Sequence, residues 1–329
     1  MKLAILDDYQ DCVRHLACFS LLDGLDVKIF QRNAKGVGQL AIRLAEFDVL
    51  VLIRERTSLP RALLARLPKL KLICQTGRLG THVDLAAAAE HGISVVEGTG
   101  DPVAPAELTW ALILAASRKV PHYAGLLKQG LWQSASIHAR HNTLGRVLRG
   151  RTLGIWGYGR IGQLVAGYAQ AFGMTVQVWG SAESCQRAVA DGLIAASSRE
   201  SFLAEVDILS VHLRLSEQTR HGITTADLAR MKPDALLVNT SRAELIAPEA
   251  LVESLRNGRP GFAAIDVFES EPLLPTAPIL QLENLLATPH LGFVEQDSYE
   301  HDFRPAFEAA ADFMHGRLRP TNLHPYAPA

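Results

Sequence analysis

The sequence predicts an α/β protein built from two doubly wound parallel sheets, and three observations support this. Short apolar runs alternate with longer segments of helical period along the 329-residue chain, which is typical of parallel sheets covered by helices. The length exceeds what one hydrophobic core usually supports, so two domains are expected. A glycine- and proline-rich stretch, GTGDPVAP at 98–105, separates two sets of strands and is a predicted hinge.

The first five predicted strands all precede residue 100. They read LAIL, VKIF, FDVLVLI, LKLIC and ISVVEG, at 3–6, 27–30, 47–53, 70–74 and 93–98. Helical segments separate them, for example PRALLARL and VDLAAAAEHG, and Gly92 at the end of the latter fits a helix C-cap. These elements complete one small doubly wound sheet.

Six further strands follow a helix that reads AELTWALILAASRKV. They read TLGIW, TVQVW, VDILSVHL, ALLVNTS, FAAIDVF and LLATPH. A last helix, at about 295–316, is expected to return to the first sheet, which would insert the second domain into the first. We therefore predict a substrate and catalytic domain at 1–99 and 295–329 and a dinucleotide-binding domain at 100–294. Ligands bind outside the carboxyl ends of such strands, so we expect the active site in the cleft between the domains.

A glycine-rich turn, GYGRIG at 157–162, follows the strand TLGIW and opens a predicted helix. Gly157 permits the tight turn, Gly159 leaves room for a pyrophosphate, and Gly162 lets the helix pack closely on the strand. The free N–H groups of the first helical turn, at Arg160 and Ile161, would face the anion. The pattern predicts a dinucleotide site of the Rossmann type, and a turn that serves packing alone is the alternative.

The second strand of this site ends without the acidic residue that usually binds the ribose hydroxyls of NAD. Gly180 and Ser181 stand where an Asp would repel a 2′-phosphate. NADP is therefore admissible and slightly favoured over NAD, although Glu183 could restore a preference for NAD. Arg187 and Arg214 are the nearest cations that could pair with a 2′-phosphate. Three further residues at strand ends complete the predicted cofactor contacts: Trp179, His212 and Thr240.

Polar residues also stand past the ends of later strands, where a buried strand does not need them. They are Arg242 after LLVNTS, Glu271 after FAAIDVF and His290 at the end of LLATPH. Each residue also has an ordinary structural explanation. Arg242 could be a charged loop residue, Glu271 a turn residue before proline, and His290 a histidine that is hydrogen-bonded to the backbone. Because the ends of successive strands line one crevice, we predict that they act together on a 2-oxo acid. His290 would move the proton, Glu271 would stabilise the imidazolium, and Arg242 would bind the carboxylate and carbonyl.

The motifs NTSR, DVFESEPL and TPH resemble the three signatures of the D-isomer-specific 2-hydroxyacid dehydrogenases, and the resemblance extends over nearly the whole chain. This family includes phosphoglycerate dehydrogenase, glyoxylate/hydroxypyruvate reductase and D-lactate dehydrogenase. The resemblance implies that Arg242 binds the substrate and that Glu271 and His290 are the acid–base pair. Asp266 would lie against the nicotinamide carboxamide. It also implies a flavodoxin-like catalytic domain, a Rossmann domain and a homodimer formed through the nucleotide-binding domains.

The resemblance further indicates where the anionic groups of the substrate bind. The family's carboxylate-binding loop often reads GxGxDNID, whereas this chain has the divergent GRLGTHVD at 77–84, in which two backbone amides could hold the carboxylate. Arg54 and Arg56 resemble arginines that meet the far anionic group in phosphoglycerate dehydrogenases, and surface ion pairing is their alternative. The residues predicted to contact the substrate are Arg54, Arg78, Leu79 and Gly80.

Composition argues against several other classes of protein. Lys plus Arg number 33 against 34 Asp plus Glu, so no net charge favours nucleic acid or an anionic membrane. The four cysteines are scattered, and neither a metal site, a disulfide framework, a signal peptide nor a membrane span is predicted. We expect a cytoplasmic protein that acts on a small molecule.

Two alternatives use the same scaffold. A dinucleotide-sensing, corepressor-like binding protein is the first, because such relatives retain the Arg, Glu and His set. Oxidation of formate or phosphite is the second, although the formate enzymes of the family carry Gln where Glu271 stands.

Overall fold

The structure is a computed structural model that describes residues 1–34, 36–317 and a two-residue strand at 324–325. The chain forms two compact units, one made of Met1–Asp101 with the chain from Val294 onward, and the other of Pro102–Phe293. Each unit has its own parallel sheet, which confirms the predicted fold class.

The described part of the chain contains thirteen strands, numbered in chain order. They are β1 (Lys2–Leu6), β2 (Asp26–Ile29), β3 (Val49–Leu52), β4 (Leu72–Gln75), β5 (Ser94–Glu97), β6 (Thr152–Trp156), β7 (Thr175–Trp179), β8 (Ile194–Ala195), β9 (Ile208–Val211), β10 (Leu236–Asn239), β11 (Phe262–Ile265), β12 (Leu285–Ala287) and β13 (His324–Pro325).

Eleven α-helices are found in the same residues. They are α1 (Val37–Leu44), α2 (Arg61–Leu64), α3 (Leu85–Glu90), α4 (Val103–Ser117), α5 (Val120–Leu127), α6 (Arg160–Ala171), α7 (Ala182–Ala190), α8 (Arg199–Glu205), α9 (Thr225–Leu228), α10 (Ala250–Arg256) and α11 (Gln296–Met314). Short 3-10 helices lie at Val13–His15, Ala17–Leu22, Ala243–Leu245 and Pro278–Gln281.

The sheet of the first unit has the order β13-β5-β4-β3-β1-β2, with every pair parallel. Its first five strands thus follow the order 2-1-3-4-5 of flavodoxin-like folds. The central strands are apolar and buried throughout, as in β3 (VLVL), because helices cover both faces. Helix α11 packs on β3 and β4, and its N-cap Glu295 accepts hydrogen bonds from two backbone N–H groups of the first turn.

The sheet of the second unit has the order β12-β11-β10-β9-β6-β7-β8, again with every pair parallel. This is the Rossmann order 3-2-1-4-5-6 with one additional strand. The order reverses between β6 and β9, so the crevice at their carboxyl ends is the expected ligand position. The predicted cofactor and catalytic residues of this unit follow β6, β7, β9, β10, β11 and β12.

No helix among the described residues is long and apolar enough to cross a membrane.

Candidate active site

The glycine turn after β6 has the geometry of a dinucleotide cradle. Gly157 has φ +101°, and a Cβ on it would lie 2.8 Å from the carbonyl oxygen of His212, so only glycine fits. A Cβ on Gly162 would lie 2.5 Å from the Gly157 oxygen, which explains how α6 packs so close to β6. A Cβ on Gly159 would meet no described atom within 4 Å, so the side above it is open. Helix α6 begins at Arg160, and its first N–H groups are placed for a pyrophosphate.

The end of β7 presents a hydroxyl and a glycine where many NAD sites have a carboxylate. Ser181 caps α7 by accepting a hydrogen bond from the Ser184 N–H at 3.2 Å. Arg187 pairs with Glu183 and also donates to the Tyr158 carbonyl of the glycine turn at 3.4 Å. Arg187 is therefore positioned beside the turn.

Three further residues that were predicted to contact the cofactor lie at the end of a strand of this sheet or soon after one. Trp179 ends β7, and its carbonyl accepts from the Gly157 N–H at 2.9 Å. The hydroxyl of Thr240 is hydrogen-bonded to that of Thr109 at 2.7 Å. Arg214 is exposed on the loop after β9, and its carbonyl accepts from Thr219.

The side chain of His212 is held by one polar contact. Its Nε2 and the Ser210 hydroxyl are 2.9 Å apart, and its buried Nδ1 has no hydrogen-bond partner in the described residues. Burial lowers the pKa of His212 to about 4, so the ring is neutral near neutral pH.

His290 and Glu271 form a direct pair. The Nδ1 of His290 donates to Glu271 Oε2 at 2.7 Å, and the Phe268 N–H donates to Glu271 Oε1 at 2.9 Å. Burial acts to raise the pKa of Glu271, but the hydrogen bond and charge of His290, the Phe268 N–H and the charge of Arg242 together outweigh it. The pKa of Glu271 is therefore below its ordinary value, and an ionised carboxylate orients the imidazole.

Asp266 holds the turn that carries His290. Its fully buried carboxylate accepts from the Thr288 hydroxyl at 2.6 Å and from the N–H groups of Leu291 and Gly292 at 2.7 and 2.8 Å. Burial raises the pKa of Asp266, although these donors oppose the shift. His290 has φ +54°, which non-glycine residues seldom adopt, and the bonds to Asp266 stabilise this conformation. The sequence did not identify this anchoring role or the part of Thr288 in it.

Arg242 lies next to the same pair. Its Nη1 donates to the Ser241 carbonyl at 2.7 Å, and its own carbonyl accepts from the Asn239 side chain at 2.9 Å. Its charge is close enough to lower the pKa of Glu271. The structure thus brings together Arg242, Glu271 and His290, and it does so at the carboxyl ends of β10, β11 and β12.

The predicted substrate residues lie in the first unit, at the carboxyl ends of β3 and β4. Arg54 follows β3, and its Nη1 is 3.2 Å from Asp302 Oδ2. Arg78 is exposed, whereas Leu79 and Gly80 are partly buried. The Leu79 N–H donates to Glu97 Oε2 at 2.7 Å. Glu97 was not predicted from the sequence, although its position at the end of the strand next to β4 was a usable signal.

The described residues contain no group of three or more His, Cys, Asp or Glu side chains that could hold a metal ion.

The second unit is similar to a domain of known proteins. Residues 110–292, more than half of the chain, match the model of the NAD-binding domain of D-isomer specific 2-hydroxyacid dehydrogenases. A glyoxylate reductase from Aeropyrum pernix is 38% identical over 261 residues, which cover 78% of this chain and 77% of that protein.

Two solved structures resemble nearly the whole chain. A candidate D-3-phosphoglycerate dehydrogenase from Ralstonia solanacearum is 54% identical, with a TM-score of 0.94 and coverage of 97% of this chain and 96% of the other. A phosphoglycerate oxidoreductase from Vibrio cholerae is 50% identical, with a TM-score of 0.92 and coverage of 96% and 99%. These names are those of enzymes, and they give no support to the corepressor-like alternative.

Proposed function

Because the chain belongs to the D-isomer-specific 2-hydroxyacid dehydrogenase family, we propose that it transfers a hydride between a nicotinamide dinucleotide and a small acid. The acid is a 2-oxo acid in one direction and a D-2-hydroxy acid in the other. The observation that carries the proposal is the His290–Glu271 pair next to Arg242 at the strand ends of a Rossmann sheet.

In this proposal, the coenzyme and each catalytic residue have distinct chemical roles. The nicotinamide supplies or accepts the hydride when it is bound. His290 donates a proton to the carbonyl oxygen as negative charge develops there, and it takes the proton back in the reverse direction. Glu271 stabilises the imidazolium through the 2.7 Å hydrogen bond. Arg242 binds the substrate carboxylate with its planar guanidinium and polarises the carbonyl.

The second unit offers the contacts for the coenzyme. The residues that would hold the pyrophosphate are Gly157, Gly159, Arg160, Ile161 and Gly162. Those that would contact the remainder of the dinucleotide are Trp179, Gly180, Ser181, His212, Arg214, Thr240 and Asp266.

The match to an NAD-binding domain supports use of NAD(H), and we propose that NADP(H) is also accepted and is slightly favoured over NAD(H). Gly180 and Ser181 carry no charge that would repel a 2′-phosphate. Arg187 lies beside the glycine turn, where it could exchange its ion pair with Glu183 for the phosphate.

In the first unit, we propose that four residues contact the substrate: Arg54, Arg78, Leu79 and Gly80. Leu79 and Gly80 belong to a loop that follows β4 at the carboxyl edge of the sheet, where ligands bind in this class of fold. The Leu79 N–H would exchange its hydrogen bond to Glu97 for one to the substrate. Arg54 follows the neighbouring strand β3 at the same edge of the sheet.

We also propose a homodimer, since one region exposes many large apolar side chains. The exposed side chains in and after α5 are Val120, Leu127, Leu131, Trp132, Ile137, Leu144 and Val147. Exposed apolar side chains are typical of an interface with another protein where they lie together on the surface. Leu144→Glu should reduce the mass that light scattering measures from a dimer to a monomer. Ile42→Glu, at an exposed residue of α1, is the control, and an unchanged dimer in Leu144→Glu would contradict this interface.

A substrate panel tests the proposed activity. The purified chain is mixed with glyoxylate, hydroxypyruvate, pyruvate and related 2-oxo acids, and oxidation of NADH and NADPH is followed by absorbance. At least one acid should be reduced, and Arg242→Ala should raise its KM by about tenfold or more, because a charge-assisted hydrogen bond is lost. The proposal is wrong if no acid of the panel supports turnover with either coenzyme.

A further inference from the structure

Arg54 has an unusual backbone conformation that two buried side chains support. Its φ of +52° lies in the left-handed region, which non-glycine residues seldom adopt. The Arg54 N–H donates to the Thr76 hydroxyl at 3.0 Å, and the side-chain amide of Gln75 donates to the Arg54 carbonyl at 3.0 Å. Gln75 ends β4 and Thr76 follows it, so the neighbouring strand fixes the direction in which Arg54 leaves β3. Backbone strain that is supported in this way clusters at functional sites.

The guanidinium of Arg54 extends past two glycines to a helix of the same unit. A Cβ built on Gly77 would overlap Arg54 Nη1, and one built on Gly100 would lie 3.3 Å from the same atom. The guanidinium therefore lies against the backbone of the loops that follow β4 and β5. Nη1 donates to Asp302 Oδ2 on α11 at 3.2 Å, and Arg54 has other contacts besides this one.

Asp302 is a costly residue for its position in the fold. Its side chain is only 6% exposed, and its Oδ1 is buried with no hydrogen-bond partner among the residues that the structure describes. Burial raises the pKa of Asp302. The charges of Arg54 and His301 oppose this shift, and that of Asp101 adds to it. A buried ion pair often stabilises a fold no better than apolar residues of the same size, so stability alone does not account for an aspartate here.

We propose that Asp302 is a positioning residue that holds the Arg54 guanidinium over Gly77, so that this arginine is ordered before the substrate binds. Asp302 itself does not touch the substrate. A long side chain that is already ordered loses less conformational entropy on binding. The inference rests on the proposed function, and it deepens that function by naming a residue of α11 on which substrate binding depends.

The test is Asp302→Leu, assayed with the acid of the substrate panel that gives the highest kcat/KM. Leu is similar in size and favours a helix, but it accepts no hydrogen bond. KM for the acid should rise by about 2- to 12-fold, which corresponds to the cost of ordering one long side chain, and kcat should stay within about twofold of the wild type. A variant that is merely less stable would lose active enzyme and lower the apparent kcat without raising KM.

A double-mutant cycle shows whether Asp302 acts through Arg54. Arg54→Ala should raise KM at least as much as Asp302→Leu does, because the whole guanidinium is lost. Adding Asp302→Leu to Arg54→Ala should leave KM as it is in Arg54→Ala, since no guanidinium remains to be positioned.

Asp312→Leu is the matched control. Asp312 is also an aspartate of α11 that pairs with an arginine, Arg317, at 2.8 Å. It lies ten residues after Asp302, which is about 15 Å along the helix. Its KM and kcat should equal those of the wild type. If Asp302→Leu gives no folded protein, Asp302→Asn takes its place. Asn keeps the shape of the side chain but carries no charge, and KM should then rise by at least about twofold.

Three results would overturn the inference and leave the proposed function standing. The first is an unchanged KM in Asp302→Leu, or in Asp302→Asn where that variant takes its place. The second is an unchanged KM in Arg54→Ala, and the third is a cycle in which the two substitutions raise KM additively. A wild type that reduces no 2-oxo acid of the panel would overturn the proposed function and this inference with it.

Discussion

Replacing Glu271 by Gln isolates the contribution of its charge to the proposed proton transfer. Gln has nearly the same shape, and its amide can still receive the Phe268 N–H. The lost element is the negative charge that accepts the 2.7 Å hydrogen bond from His290 Nδ1. The substitution therefore tests whether the imidazolium formed in the reaction needs a carboxylate partner.

The expected magnitude follows from that one hydrogen bond. A hydrogen bond to a charged group contributes about 1.5–3 kcal/mol, and each 1.36 kcal/mol in the activation free energy changes a rate tenfold. Because the charge is needed when His290 is cationic, Glu271→Gln should lower kcat by roughly 10- to 150-fold. The affinity for the coenzyme should not change, since the glycine turn is not altered.

The assay is steady-state oxidation of NADH or NADPH at saturating 2-oxo acid, with coenzyme affinity measured separately by fluorescence titration. Glu269→Gln is the control, because Glu269 is an exposed carboxylate in the same loop. It should retain the kcat of the wild type. A kcat for Glu271→Gln within twofold of the wild type would refute the assigned role of the carboxylate.

Three further predictions concern the cradle and its neighbours. Gly162→Ala should destabilise the fold by about 1–3 kcal/mol in urea unfolding, because its Cβ would lie 2.5 Å from the Gly157 oxygen. Ser181→Asp keeps a helix cap but adds a charge, so kcat/KM for NADPH should fall by at least about tenfold while that for NADH is retained. The free energy of unfolding should decrease by at most about 3 kcal/mol as pH falls from 6.5 to about 4, and His212→Asn should reduce this loss.

The sign of the last prediction follows from the lowered pKa of His212. Between pH 6.5 and about 4 the unfolded histidine binds a proton and the folded one does not, so acid favours the unfolded state. The same pH dependence in wild type and His212→Asn would contradict it. An unfolding midpoint of Gly162→Ala equal to that of the wild type would contradict the prediction for that variant. An unchanged preference between NADH and NADPH would contradict the prediction for Ser181→Asp.

Most of the fold could be predicted because parallel strands are buried on both faces and leave apolar runs in the sequence. The run VDILSVHL, for example, contains β9 (Ile208–Val211), and the predicted final helix at 295–316 contains α11 (Gln296–Met314). Strand ends were less well predicted, because apolar residues continue past the last ladder hydrogen bond. The two-residue strand β8 (Ile194–Ala195) was missed, since so short an edge strand carries no periodicity.

The residues of the candidate site that follow strand ends could be predicted from the sequence. His290, Glu271 and Arg242 follow successive neighbouring strands, and topology alone brings them to one edge of the sheet. Side-chain contacts across that edge were not predictable. The hydrogen bond from Leu79 to Glu97 joins residues that are 18 positions apart, and it depends on the register of β4 and β5.

The central claim is that the second unit carries an imidazole that moves the proton during hydride transfer, and His290→Ala tests it most directly. The measurement is kcat with a reducible 2-oxo acid, with and without added imidazole, beside the affinity for NADH. We predict a fall in kcat of about 10²- to 10⁴-fold, partial recovery with imidazole and an unchanged affinity for NADH. Turnover by His290→Ala at the rate of the wild type would contradict the account.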